Sequence, residues 1–324
     1  MRMPSLAASG VLLASIFSIS ASAVTMDWTP IGNPGNASEW LDEVHGSVGY
    51  VYSIGTYEVT NSQYIEFLNA KASSDPLALY NPNMASGFGG ITRSGDPGSF
   101  SYGTIAGREN MPVNYVSFWD VLRFANWMNN GQGSGDTETG AYTLDGTPSP
   151  DLVFVTRNPG ATIVLPSENE WYKAAYHNAS SGLSADYWEY PTGSDLWPTC
   201  SMPTATANRA NCQTFNGPIG VGDLTPRGSY TGSPSSYGTF DQAGNVKEWD
   251  EGTAAGPVRR VRGGSFFSYE SNNASWAYTV VPVYPEAWES SDIGFRLALI
   301  PEPSTGLLVA VGFIGIAVRR RLLA

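Results

Sequence analysis

Three stretches of the chain carry apolar residues at helical spacing, and each opens in the same way. In "VTNSQYIEFLNA" Thr60 stands where a cap hydroxyl accepts from the third helical amide, and Gln63 stands where a side chain reaches back. Val59 and Tyr64 can staple that start, and Tyr64, Phe67 and Leu68 form one apolar face. In "VSFWDVLRFANWMNNG" Ser117 caps and Asp120 takes the third position. Val121, Phe124, Ala125 and Met128 make the stripe, which Gly131 ends. In "LPSENEWYKAAYH" Ser167 and Glu170 repeat the scheme ahead of Trp171, Ala174 and Ala175. The pattern predicts three helices, whose named residues pack and cap. Elsewhere the period is two or absent. "YVYSIGTYEV" (residues 50–59) alternates like a strand, and "VRRVRGGSFFS" and "IGFRLALI" read as late strands separated by a long loop. Residues 71–110 and 131–150 are rich in Gly, Ser, Asp and Pro, as insertions tend to be. No internal repeat, heptad run or charge block is visible.

Two apolar runs lie outside this pattern, one at each end. Arg2, an apolar stretch over residues 6–20, and the A-x-A site Ala21-Ser22-Ala23 predict an export signal cleaved after Ala23. At the other end Pro301-Glu302-Pro303 leads into residues 304–318, apolar except for Ser304 and Thr305, followed by Arg319-Arg320-Arg321. The positive-inside rule holds such a basic end in the cytoplasm. The run is shorter than the about 20 apolar residues of a full span, so it reads as a short transmembrane helix. The order closely resembles the PEP-CTERM sorting signal of Gram-negative bacteria. That resemblance implies recognition and removal by an exosortase-type membrane protease. The expectation is a chain exported across the inner membrane of a Gram-negative bacterium, with a signal peptide at 1–23, one domain at 24–300 and a sorting signal at 301–324. After sorting it would lie at the cell surface or outside the cell.

Composition narrows the picture. Charged residues are 14% of the chain, with 36 Gly and 22 Pro, which favours a loop-rich fold over a helical bundle. Without Arg2 and the three tail arginines, 17 basic residues become 13; without Glu302, 29 acidic ones become 28. The span between the signals therefore carries a net charge of −15. A field of that sign repels phosphate backbones, so nucleic acid is excluded as a natural partner, and it favours cations at oxygen-rich loops. The chain has two cysteines, Cys200 and Cys212. In an oxidising compartment such a pair bridges, and its spacing is far wider than a redox C-x-x-C.

The order of segments carries a second resemblance. "YEVTNSQYIEFLNA", "MPVNYVSFWDVLRFANWMN", "LPSENEWYKAAY", "YGTFDQAGNVKEW", "RRVRGGSF" and "GFRLAL" resemble, in order, the motifs of the sulfatase-modifying-factor, or formylglycine-generating-enzyme, family. The resemblance spans about residues 50–300. It implies a compact α+β domain of the C-type-lectin-like type, loop-rich and single, often with bound calcium. The family's founding activity oxidises a substrate cysteine to formylglycine with O2 and Cu(I) held by two cysteines. Those cysteines follow the Gly-Gly-Ser motif, and the matching positions here are Ser268 and Asn273. A hydroxyl and an amide do not hold Cu(I) as thiolates do, so copper is not expected. Ser265, the serine of the motif, reads as a turn residue, since neither His45 nor His177 is placed beside it by the sequence. The two separated histidines make no facial triad for iron. The family's usual Trp in "GNVWEW" is Lys247 here, and an arginine it carries after the loop has no counterpart in "AYTVVPVY".

By the same resemblance the segment "DQAGNVKEW" would wrap calcium. Asp241 and Glu248 would supply carboxylates, and Gly244 and Val246 backbone oxygens; an Asx-type turn before a buried Trp249 is the other reading. A second family calcium site would fall near Asn211. No catalytic residue is singled out. The functional expectation is a binding or extracellular-matrix protein whose loops hold an extracellular polysaccharide or a surface protein. Trp276, Tyr278, Tyr284 and Trp288 are candidate stacking rings. The alternative is a formylglycine-generating-type oxidoreductase using residues the sequence does not identify.

Overall fold

The computed structural model describes residues 23–41, 44–150, 155–214, 220–253, 258–275 and 284–301. Three helices form where the caps place them: α1 (Asn61–Lys71), α2 (Phe118–Asn129) and α3 (Glu168–Tyr176). Each has a complete capping box, Thr60 with Gln63, Ser117 with Asp120 and Ser167 with Glu170. Such a cap contributes about 1 kcal/mol, because it satisfies amides that the first turn leaves open.

Burial of helix α2 extends beyond the apolar stripe of Val121, Phe124, Ala125 and Met128. Every residue from Phe118 to Met128 is buried. Its apolar side packs on α1 through Phe124, whose ring lies 5.8 Å from Tyr64 and 5.4 Å from Phe67. Its polar side is covered by the 131–150 segment, which supplies partners instead of leaving that face to water. Arg123 donates to Glu138 at 2.8 Å and to the carbonyls of Thr147 and Pro148, and Asn126 donates to the carbonyl of Thr137. The 71–110 segment is also tied down. It forms a hairpin, Ile91–Ser94 with Ser101–Thr104, whose Tyr102 hydroxyl donates to the carbonyl of Ala72 at the end of α1.

Two four-stranded sheets complete the frame. One runs Trp28–Ile31, Tyr52–Gly55, Ala298–Leu299, Ile163–Val164, all antiparallel. The other runs Tyr284–Pro285, Val258–Arg262, Lys247–Thr253, Ile293–Gly294, with the last pair parallel. The 50–59 strand is only four residues long, because Thr56 turns away to bond Asp27 and Thr60 must cap α1. "IGFRLALI" divides between the two sheets. At its centre Phe295 and Leu297 enter the main apolar core, while Arg296 enters a buried cluster of acids. The result is a loop-rich α+β domain.

Cys200 and Cys212 form a disulfide with Cα atoms 4.9 Å apart, beside the parallel pair Thr199–Cys200 and Arg209–Ala210. Closing so short a loop stabilises by about 3 kcal/mol in the chain-entropy picture. Ala23 is exposed and Pro301 ends the described chain. Residues 1–22, the 304–318 run, Glu302, Pro303 and Arg319, Arg320 and Arg321 lie outside the described residues, as do Trp276 and Tyr278. Among the described residues no helix is long and apolar enough to cross a membrane.

Candidate functional site

The Gly-Gly-Ser loop leaves the Val258–Arg262 strand through two left-handed glycines, Gly263 at φ 92° and Gly264 at φ 65°. Neither position has room for a side chain. A Cβ on Gly263 would sit 2.7 Å from the carbonyl of Gln242, and one on Gly264 would sit 2.5 Å from Asn273 Oδ1. This tight turn buries Ser265 and aims its hydroxyl at Asp292 Oδ2, 2.9 Å away. Ser268 Oγ lies 3.1 Å from Ser265 Oγ. Lys247 donates to the same Asp292 oxygen at 2.6 Å, and Ser290 donates to the other at 2.7 Å. Burial pushes the Asp292 carboxyl up, but the Lys247 ammonium and the two serine hydroxyls outweigh it and hold the group below the usual carboxylate range. Lys247 is thus one half of an ion pair under the loop, a role the sequence reading did not find.

Ser268 and Asn273 come to the same loop, as the motif places them. Asn273 is fully buried. Its amide nitrogen donates to the carbonyl of Glu270 at 3.1 Å, its own carbonyl accepts from the Tyr176 hydroxyl at 3.0 Å, and its side-chain oxygen has no partner. The chemistry on offer is two hydroxyls, an amide, a carboxylate and an ammonium. No thiol is present, since both cysteines of the chain are bridged. The histidines stand apart from it. His45 packs on Tyr172 and lies 3.4 Å from Glu168, and His177 bonds the Tyr237 hydroxyl.

The 241–248 turn is the second candidate. Asp241, Gly244 and Asn245 all adopt positive φ, and a Cβ on Gly244 would meet the carbonyl of Asn211 at 2.2 Å. Asp241 accepts from the amide of Gly228. Glu248 receives Arg296 on both oxygens, each at 2.6 Å, and the Trp171 indole at 2.7 Å. Asn245 bridges Glu58, Thr225 and Asn211, whose amide nitrogen also reaches the carbonyl of Asp223. Glu58 Oε2 is buried without a partner. Arg296 thus bonds Glu248 alone of the acids, while the buried Glu58 and Asp241 feel its charge from a distance. Burial, then the charges of Asp241 and Glu248, push Glu58 well above its usual value. Burial, with repulsion from Glu248, raises Asp241 to about 6 despite the Gly228 amide and Arg296. Among the described residues no group of three His, Cys, Asp or Glu side chains is close enough to hold a metal ion.

The sequence matches the model of the sulfatase-modifying factor enzyme 1-like domain over residues 44–300. The chain belongs to this family. Residues 299–321 match the PEP-CTERM protein-sorting motif, which supports an exported, surface-sorted family member and implies processing by an exosortase-type system. A formylglycine-generating enzyme of Thermomonospora curvata is 26% identical over 232 residues, which is 63% of this chain. The match spans 59% of that enzyme's length. The crystal structure of CarF superposes with a TM-score of 0.57 at 23% identity, covering 86% of this chain and 100% of CarF, and so shares the fold. Within this sulfatase-modifying-factor-like domain, Ser268, Asn273 and Lys247 are the departures already named. The missing arginine of "AYTVVPVY" falls largely outside the described residues.

Proposed function

We propose that this family member is a binding protein of the cell surface or extracellular matrix, not a copper-dependent thiol oxidase. One observation carries the reading: a hydroxyl and a buried amide, Ser268 and Asn273, stand where the family's chemistry takes two thiolates. The disulfide leaves no other thiol to replace them. Thiolates are the soft ligands that hold Cu(I), and a neutral hydroxyl or amide is a poor substitute. Without them the loop keeps its shape through the Lys247–Asp292–Ser265 network, which suits presentation of a surface. The partner is an extracellular polysaccharide or a surface protein. The test is whether the purified protein turns a peptide cysteine into an aldehyde when copper and oxygen are supplied.

Calcium at the 241–248 turn belongs to the same reading. Asp241 would supply a carboxylate and Gly244 and Val246 carbonyl oxygens, and hard cations favour such sets. The excess of three carboxylates over one guanidinium and the unpartnered Glu58 oxygen support a cation there. Arg296 already holds both Glu248 oxygens, so Glu248 would contribute only by sharing them. Bound calcium would give stability: at 100 times Kd it adds about 2.7 kcal/mol. Chelation is expected to lower the melting temperature, and Asp241→Ala to abolish that response. An unmoved melting curve would leave Arg296 as the cluster's own counter-ion.

The tail is proposed as an address that is removed. Intact mass of protein recovered from its host is expected to place the C-terminus near Pro303. Full-length chain through Ala324 in the membrane fraction would make the tail a lasting anchor.

A further inference from the structure

We infer that the surface between Phe267 and Trp288 binds a neutral carbohydrate chain. The inference rests on the binding reading above and gives that reading a ligand class. Its floor is polar and continuous. Lys247 Nζ and Ser265 Oγ both reach Asp292 Oδ2, at 2.6 and 2.9 Å, Ser268 Oγ lies 3.1 Å from Ser265, and Ser290 takes Asp292 Oδ1. These groups come from three separate segments of chain, so the hydrogen bonds fix the segments against one another. The floor is not sealed: the side chains of Lys247 and Asp292 stay 14% and 10% exposed.

Aromatic rings stand at both ends. Trp288 is 48% exposed and stacks on Tyr284, with centroids 5.9 Å apart and planes 18° from parallel. The Lys247 ammonium lies 5.9 Å from the Tyr284 ring, which joins platform to floor. At the other end Phe267 is 41% exposed, packs edge-on against Phe88 at 5.1 Å, and is tied to the floor by its amide, which donates to Ser265 Oγ.

A sugar ring has a flat face of C–H groups and a rim of hydroxyls. The stacked pair offers a flat, rotationally fixed platform for the first. Where it is open the floor offers both hydrogen-bonding senses for the second: donors from Lys247, acceptors from Asp292, either from the half-buried Ser290, while Ser265 and Ser268 lie buried beneath and hold the carboxylate in place. Charge selects among sugars. Lys247 and Asp292 cancel, and the chain as a whole carries −12, so an anionic polymer meets a repulsive field with no free cation at the floor to offset it. A neutral chain meets no such barrier. A protein partner would want an apolar core to its contact, whereas here the Lys247–Asp292 pair lies beside the Tyr284–Trp288 platform.

The experiment is affinity electrophoresis of the exported protein through gels containing galactomannan, hydroxyethyl cellulose, soluble starch or alginate. Retardation is expected with at least one neutral polymer and not with alginate. Trp288→Ala should lower the association constant at least about tenfold, as loss of an aromatic anchor does. Trp40→Ala, which removes a 73% exposed ring from another strand, should leave it unchanged, and both variants should melt like the parent. Free migration in every neutral gel, retardation by alginate alone, or equal behaviour of the two variants would overturn the inference. Selection from a phage-displayed random-peptide library separates it from the binding reading. Peptides whose capture needs Trp288, with no glycan bound, would refute the carbohydrate and keep the reading. With neither glycan nor peptide bound, both fall.

Discussion

Arg296→Met is expected to destabilise the protein by about 3–5 kcal/mol, the range found when one partner of a buried ion pair is removed. The guanidinium is fully buried and fully used. It holds Glu248 through two bonds and donates to the carbonyls of Gly55, Thr56 and Phe240. Methionine keeps most of the stem's packing but leaves Glu58, Asp241 and Glu248 with no buried cation. It also takes a donor from three carbonyls, of which that of Thr56 keeps the Phe240 amide at 2.9 Å. Glu58 is already shifted upward by burial and the charges of Asp241 and Glu248, and Asp241 by burial and the charge of Glu248, so the variant should recover part of its loss as acid neutralises them. Urea unfolding at pH 7 and pH 5 measures both effects. Adding Glu248→Gln to Arg296→Met should cost less than the two single changes summed. A loss under about 1 kcal/mol for Arg296→Met alone would mean that water reaches the cluster.

The second large effect is expected with pH, and Asp250 dominates it. This carboxyl is fully buried and raised to about 7, first by desolvation and then by the charge of Glu168, against the pull of Arg262 at 3.7 Å. Its folded pKa lies above the unfolded value of 3.8, so the unfolded chain gives up this proton first. The stability it contributes is fully present below pH 3.8 and is lost as pH rises through about 7. At 1.36 kcal/mol per unit the loss is on the order of 4 kcal/mol. Asp120 and Asp241, both raised to about 6, act in the same sense. Glu168 acts oppositely. Burial raises it, but His45, Arg260 and Arg262 hold it well below the usual range, so its contribution is lost only in stronger acid. Denaturant midpoints should therefore fall between pH 4 and pH 7, and Asp250→Asn should flatten that slope. An unchanged slope in the variant would assign the titration elsewhere.

The helices were legible because a capping box is a local device. Thr60 with Gln63, Ser117 with Asp120 and Ser167 with Glu170 each sit three residues apart, and the fold had only to accept them. The Gly-Gly-Ser loop was legible for a similar reason, since only glycine fits at 263 and 264. What escaped was long-range pairing of charge. Lys247 reads in sequence as a missing tryptophan, and its partner Asp292 lies 45 residues further on. Glu248 reads as a cation ligand, and the cation that reaches it in the fold is Arg296, 48 residues away in a stretch read only as a strand. For helix α2 the sequence showed only the apolar stripe of Val121, Phe124, Ala125 and Met128. Its polar residues are met by the 131–150 segment, and nothing in a helical period tells a solvated arginine from one paired with Glu138. The strands were overdrawn because each is cut short by the next obligation of the chain, as at Thr56 and Thr60.

The central claim is that the family's fold is kept while its thiol chemistry is given up at Ser268 and Asn273. The most direct measurement incubates the purified protein with copper, oxygen and a cysteine-containing substrate peptide, and weighs the peptide by mass spectrometry against a blank without protein. The account predicts that the peptide keeps its cysteine, as thiol or disulfide, with no aldehyde above the blank. Formylglycine formed in proportion to added protein would contradict it, and would mean that residues other than thiolates carry the oxidation.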